Sequence, residues 1–493
     1  MNYKKLLSIL SVSIFIASAI LFTSGCKKDT FSTKGALSFS TDTLSFDTVF
    51  TTLPSTTQFF KIFNKEKQPI KISSIRLAQL QSDATFRLNV DGVSGTNFQD
   101  IEILANDSIY VFVETTVKNP LNPNNPFVIN DEVQFVTNGT TQKVVLEVWG
   151  QDAYYHKGEI YRFGDNITWK NDKPHIILQG SFPGVGVDSG AVLNIESGSR
   201  IFTGNNAGLW VYGTLNATAN SWADSIVFRG LRLESYYKDK PAQWWGIIYG
   251  RNRANVITKL NLQRVVVNES FFGVADEFIF NASFQQQVLP LNLANYTTAT
   301  APELNLKQCI IKNAQNTALF ALNAKVIAEN CLLHTTGSNV TALALGGNYN
   351  LTHCTIFNTG GKYLEHKQEA LLVADKIANE GTLYNANLTA NFVNTVVYGS
   401  LENEFRFADD NDKIRFENCL IKIQQDTANK YSSKFTNCKF NEDPKFKNAG
   451  DGNFTPSDSL NSPLIDAGKT TSITLDIFDK PRNTPDIGAV EGN

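Results

Sequence analysis

Methionine occurs once in this chain of 493 residues, histidine five times and cysteine six times. That leaves little from which to build a metal centre. No Cys-x-x-Cys pair occurs, and no histidine stands at ligand spacing beside a cysteine. An excess of charge of one sign is also missing. The formal net charge is −3, and lysine and arginine are scattered instead of forming a stripe that could track a phosphate backbone. Nucleic acid is therefore excluded as an expected partner. Long helical periodicities are lacking too, whereas Asn, Thr, Ser and Phe are abundant. That balance points to an all-β protein.

What is present begins at the N-terminus. Lys4-Lys5, an apolar or small-residue run over 6–22 and then Thr23-Ser24-Gly25-Cys26 make the three parts of a secretory signal. A run of about 17 residues is at the lower limit for spanning a bilayer of ~30 Å. Ser24-Gly25-Cys26 resembles the lipobox of bacterial lipoproteins, although Thr23 replaces the usual leucine. The resemblance implies cleavage after residue 25, lipid on Cys26 and anchoring at the outer membrane or cell surface. Lys27-Lys28-Asp29 resembles the export tag of surface lipoproteins, and 26–36 reads as a tether.

Over 37–152, short alternating runs at 44–51, 58–64, 70–77, 86–90, 101–104, 108–115, 132–137 and 143–149 are separated by turn residues. This predicts an immunoglobulin-like β-sandwich. Phe60-Lys61-Ile62-Phe63-Asn64 and Asp107-Ser108-Ile109-Tyr110-Val111 resemble Ig-like modules of the ASPM–Hydin type, which implies a spacer or protein-binding unit. The segment 119–127 reads as a long surface loop.

Past residue 260 a motif recurs: apolar-x-x-(Cys/Thr/Val)-x-apolar, beginning at Leu262, Leu306, Ala328, Leu351, Phe392, Phe416 and Phe435. A period near 22 residues fits one coil of a parallel β-helix, and two longer intervals are expected to hold two coils each. Asn330, Asn394, Asn418 and Asn437 precede the fourth motif position and are expected to form an Asn ladder along the bend. Cys309, Cys331 and Cys354 should stack about 4.8 Å apart as free, core-filling thiols, not disulfides. Ser462-Pro463-Leu464-Ile465-Asp466-Ala467-Gly468 and Pro485-Asp486-Ile487-Gly488 resemble the choice-of-anchor Q group of secreted proteins in the pectate-lyase-like superfamily. The resemblance implies a right-handed parallel β-helix over 155–445 and a closing segment over 446–493.

Fold alone does not assign chemistry. The paired Asp, Gly-His-Gly and Arg-x-Lys of pectin hydrolases are not recognisable here, nor is a lyase base beside a Ca²⁺ site. Tyr236, Tyr237, Trp244, Trp245 and Tyr249 form the densest aromatic group, flanked by Lys238, Lys240, Arg251 and Arg253, and are the candidate sugar-stacking platform. Lys362, His366 and Lys367 are a candidate clamp for an acidic sugar. Asp409-Asp410-Asn411-Asp412 lacks the glycine and glutamate of a calcium loop, so no cofactor is expected. Six Asp-(Ser/Thr) triplets, among them Asp42-Thr43-Leu44 and Asp224-Ser225-Ile226, resemble a periplasmic O-glycosylation signal and equally suit turns entering strands. The expected function is a non-catalytic module that binds glycan or surface protein. The alternative is a polysaccharide lyase acting on acidic polysaccharide.

Overall fold

The computed structural model describes residues 30–118, 127–251, 256–279, 300–379, 382–407 and 413–492. The export segment with Cys26, the loop 119–126, Arg253 and the acidic run 409–412 lie outside them. The chain divides into two units, Met1–Asp152 and Ala153–Asn493.

The first unit is a sandwich of two five-stranded sheets. One sheet is ordered Ser38–Phe39, Gln58–Phe63, Ser108–Val117, Ala84–Val90, Val93–Gly95; the other is Thr43–Phe50, Thr140–Gln151, Phe127–Thr137, Ile70–Leu77, Asn97–Ile103. Burial alternates residue by residue along Ser108–Val117, as a half-buried strand requires. Phe46, Phe60, Val111, Phe135 and Leu146 fill the space between the sheets. Pairing is antiparallel except where Thr43–Phe50 runs parallel to Thr140–Gln151.

The second unit is a solenoid of three parallel sheets with eleven, nine and ten strands, a parallel β-helix. One coil runs Lys325–Glu329 (third sheet), Leu332–Thr336 (first sheet), Thr341–Ala344 (second sheet), and Gly347–Thr352 then pairs on Lys325–Glu329. The long motif intervals are not double coils. Lys259–Gln263 pairs directly with Glu303–Lys307, and Gly347–Thr352 with Leu388–Val393. Each long interval is therefore one coil carrying an excursion.

Within each motif, the residue before the Cys position turns the corner from third to first sheet in the left-handed region. Arg264, Gln308, Asn330, His353, Asn394, Asn418 and Asn437 have φ of 51, 53, 52, 52, 50, 52 and 50°. The corner throws the next side chain inward, and Cys309, Cys331, Cys354 and Cys419 are fully buried and free. Their thiols donate to main-chain carbonyls: Cys331 Sγ to Leu306 O at 3.5 Å, Cys354 Sγ to Ala328 O at 3.5 Å, Cys419 Sγ to Phe392 O at 3.4 Å. Thr395 takes the same place where cysteine is absent, with Oγ1 donating to Leu351 O at 3.3 Å. Burial pushes the thiols of Cys309, Cys331 and Cys419 up, so they are unreactive packing groups.

The expected Asn ladder along the bend does not form. The corner side chains instead grip the C-terminal segment, which runs back along the corner as a strap. Asn418 donates to Ala467 O at 3.2 Å, Asn394 to Lys469 O at 2.7 Å, Asn330 to Leu475 O at 2.7 Å and Gln308 to Asp476 O at 2.8 Å. Arg264 pairs with Asp479 at 2.6 Å. An asparagine ladder does exist on the outward face of the third sheet, where Asn216, Asn261 and Asn305 each donate to the preceding Asn194, Asn216 and Asn261 at 2.8 Å.

Candidate functional site

Counting three residues on from each Cys position gives the outward row of the first sheet: Asn268, Lys312, His334, Phe357, Tyr398 and Lys422. Lys312 registers with His334, His334 with Phe357, and Phe357 with Tyr398. Over the middle of this row lies a cleft of about 800 Å³. Its walls are the excursion around Ser235–Asp239, the excursion Thr359–Leu364 and the turn Ala449–Gly452; Lys312, Asn313 and His334 line it from the sheet.

The first wall is held from below. Buried Glu269 takes both arms of the Arg229 guanidinium, at 3.0 and 3.2 Å, and accepts the main-chain N–H of Asp239 at 3.0 Å. That contact fixes Asp239, itself at a φ of 59°. Asp239 Oδ1 then receives Asn313 Nδ2 at 2.9 Å and Asn268 Nδ2 at 3.2 Å, and lies 3.4 Å from Lys312 Nζ. Partial burial works against its charge, but the Lys312 ammonium, the Asn268 amide and Lys238 outweigh it and hold the carboxyl below its ordinary range. His334 donates or accepts through Nδ1 with Thr335 Oγ1 at 2.9 Å, and burial together with Lys312 pushes its pKa down to about 3. At neutral pH the floor thus carries an ionised carboxylate, an ammonium and an uncharged imidazole.

The proposed aromatic platform is split by the fold. Trp244 is 1% exposed, stacked over Phe228, with its indole N–H on Asn268 O at 2.9 Å. Tyr249 is fully buried and donates to Phe320 O. Both are core residues, because Trp244 and the alternate positions Ile247 and Tyr249 point into the coil. Trp245 packs edge-on to Phe271 at the second sheet. Tyr236 and Tyr237 lie on the excursion whose Ser235, Lys238 and Asp239 line the cleft, without lining it themselves. Tyr236 is 64% exposed with Lys240 Nζ 4.3 Å from its centroid, and Arg232 lies 4.1 Å over Tyr237. The excursions meet here: Tyr363 donates to Tyr236 O at 3.3 Å.

The clamp is split as well. Lys362 is exposed and lines the cleft. Lys367 pairs with Glu365 on the surface. His366 turns away from the cleft; its imidazole is 2% exposed, with Nδ1 2.8 Å from Ser400 Oγ and Nε2 3.2 Å from Glu404. Asp239, Lys312, His334, Asn268 and Glu269 were missed in sequence. The motif register would have marked Asn268, Lys312 and His334 as outward neighbours; nothing local marks Asp239 or Glu269.

No protein-family model matches the chain, and no curated protein matches it. Among solved structures, a protein of unknown function from Porphyromonas gingivalis W83 aligns at 10% identity over 26% of this chain and 60% of its own, with a TM-score of 0.18. A PapD-like domain of human CEP192 aligns at 10% identity over 26% of this chain and 94% of that domain, TM-score 0.18. The catalytic domain of a GH87 alpha-1,3-glucanase, solved with tetrasaccharides, aligns at 11% identity over 80% of this chain and 90% of its own, TM-score 0.16. Scores this low leave the class, a parallel β-helix with a preceding β-sandwich, to be read from the chain's own strand order.

Proposed function

We propose that this is an exported, lipid-anchored protein that binds an acidic polysaccharide in the first-sheet cleft without cleaving it. The observation that carries the reading is the convergence of tyrosine and lysine at one cleft: half-buried Tyr363 and Lys312 and exposed Lys238 and Lys362 line it, and exposed Tyr236 stands beside it, its main-chain oxygen accepting from the Tyr363 hydroxyl. Aromatic faces stack on the apolar faces of sugar rings, and ammonium groups match sugar carboxylates. Binding, not cleavage, is favoured by the ionisation states. Asp239 is held ionised by Lys312, so it is no proton donor, and His334 with a pKa of about 3 is a weak base. The anchor rests on Ser24-Gly25-Cys26 alone.

Affinity electrophoresis in gels containing polygalacturonate, alginate or neutral dextran tests the reading. Retardation by the acidic gels only, weakened about tenfold (~1.4 kcal/mol) in a Lys238→Ala/Lys362→Ala double variant, is expected. Equal mobility in all three gels would refute it. A rise in absorbance from unsaturated sugar ends in the same mixtures would replace binding by lyase action. Palmitate labelling lost in Cys26→Ala checks the anchor.

A further inference from the structure

The excursion that supplies Lys362 and Tyr363 to the cleft also carries His366, and that histidine meets two groups from the next coil. Ser400 follows the first-sheet strand Val396–Gly399 and is exposed. Its Oγ is 2.8 Å from His366 Nδ1. On the other side of the ring, Nε2 is 3.2 Å from Oε2 of Glu404, whose side chain is fully buried. The carboxylate is fixed by the main chain: Leu401 N–H donates to Oε1 at 2.7 Å and Ala370 N–H to Oε2 at 3.0 Å. The negative charge of the carboxylate 3.2 Å from Nε2 favours the tautomer with the proton on that nitrogen, which leaves the Nδ1 lone pair to accept from the serine hydroxyl. The backbone is shaped for this approach. A side chain at Gly399 would collide with Glu404 Oε1 and Asn358 O, so only glycine lets the serine strand end beside the carboxylate.

The geometry points to a second site: an esterase centre in which Ser400 is the nucleophile, His366 the acid–base and Glu404 a positioning residue. Ser400 Oγ adds to an ester carbonyl as its proton passes to His366 Nδ1. The C–O bond to the alcohol then breaks, and His366 returns that proton to the leaving oxygen. Water, deprotonated by the same nitrogen, releases the acid from the acyl-serine and restores the hydroxyl. No oxidant, metal or cofactor enters the balance. The Nε2–Glu404 approach is out of line for a hydrogen bond in the resting ring; a protonated imidazolium is drawn onto the carboxylate, so the contact strengthens where charge develops. Ser400 stands exposed in a polar segment with Glu402 and Asn403, which suits a short acyl group. The substrate class is an acetyl ester borne on a sugar hydroxyl, and the sugar carrier rests on the cleft reading above.

The test uses the chain as it exists. A fluorophosphonate probe followed by peptide mass spectrometry should place the adduct on Ser400, and p-nitrophenyl acetate should turn over. Ser400→Ala, an exposed change that leaves the fold intact, should abolish both. Glu404→Gln should retain the adduct but lower kcat on p-nitrophenyl acetate with KM unchanged, because the imidazolium that forms in the step loses its anionic partner; a merely structural role would change Tm and leave kcat of the folded fraction in place. Wild type that labels no more than Ser400→Ala overturns the esterase centre. Turnover of the small ester without acetate release from any acetylated polysaccharide overturns the sugar-ester assignment alone, whereas glycan retardation with no Ser400 adduct separates a true cleft from a false esterase.

Discussion

Two outward-facing polar regions of the solenoid differ in what satisfies them. Along the corner between the third and first sheets, the side chains of Arg264, Gln308, Asn330, Asn394 and Asn418 donate to the chain's own C-terminal strap. Over the middle of the first sheet, the same kinds of residue line a cleft of about 800 Å³, with Lys362 exposed in its wall and Tyr236 exposed beside it. Polarity outside a β-helix therefore does not mark a site. A site is where polar and aromatic groups converge and the chain does not cover them.

The comparison breaks most visibly at Arg482. Its side chain, 1% exposed, pairs with Glu491 and donates to Asn330 Oδ1 at 3.0 Å, Gly488 O at 2.9 Å and Ala489 O at 3.1 Å. If the strap is structural, Arg482→Ala leaves a buried carboxylate and three carbonyl or amide oxygens without their donor. A loss of about 3–5 kcal/mol is expected, read by urea unfolding of the full chain. A loss under about 1 kcal/mol would mean that the strap is an ornament and that the corner stands open to a partner.

Acid should act on both regions, more visibly at the corner. His353 accepts from Asn394 Nδ2 at 2.9 Å through Nε2, and burial with nearby Arg482 pushes its pKa down to about 3. A proton on Nε2 would set donor against donor. A histidine depressed in the folded state contributes stability that is present above its unfolded value of ~6.5 and lost as pH falls through the folded one. Between pH 6.5 and about 3 the chain should therefore lose stability at up to about 1.4 kcal/mol per pH unit for each such group; burial depresses His334 to about 3 and His175 to about 4 as well, and lowers His156. His353→Asn, which keeps a residue tolerant of the left-handed corner, should flatten the melting-temperature profile over that window. An unchanged slope would place the acid response elsewhere.

How much of this was legible follows from what each feature depends on. The inward stack was, because Cys309, Cys331 and Cys354 recur at one coil position and burial enforces type at each repeat. Alternation exposed the sandwich strands for the same reason. The strap was half legible: its motifs were visible, but its partners were read as a ladder, since four asparagines at one position look self-complementary until the strap's carbonyls are known. The cleft was the least legible. Asp239 and Lys312 lie 73 positions apart in sequence yet 3.4 Å apart in space, and Trp244 looked like surface because its neighbours Tyr236 and Lys240 are. An excursion and the coil beneath it share no period.

The smallest effect on stability carries the most about function. Tyr236 is 64% exposed, and its side chain's contacts are an edge-on approach to Tyr237 at 5.1 Å, the Lys240 ammonium 4.3 Å from its centroid and a 3.2 Å hydrogen bond from that ammonium to its hydroxyl. An exposed cation–π pair contributes about 0.5–1 kcal/mol, so Tyr236→Ala should leave Tm within a few degrees of the parent. The contrast is Trp244→Ala, a few residues on, where emptying a core site should cost about 3–5 kcal/mol. If Tyr236 serves the cleft, its loss should instead lower affinity for acidic polysaccharide about tenfold, ~1.4 kcal/mol of binding, in a fully folded variant. Affinity unchanged in that variant would detach the tyrosine wall from the ligand and leave the lysines as a charged surface without a stacking face.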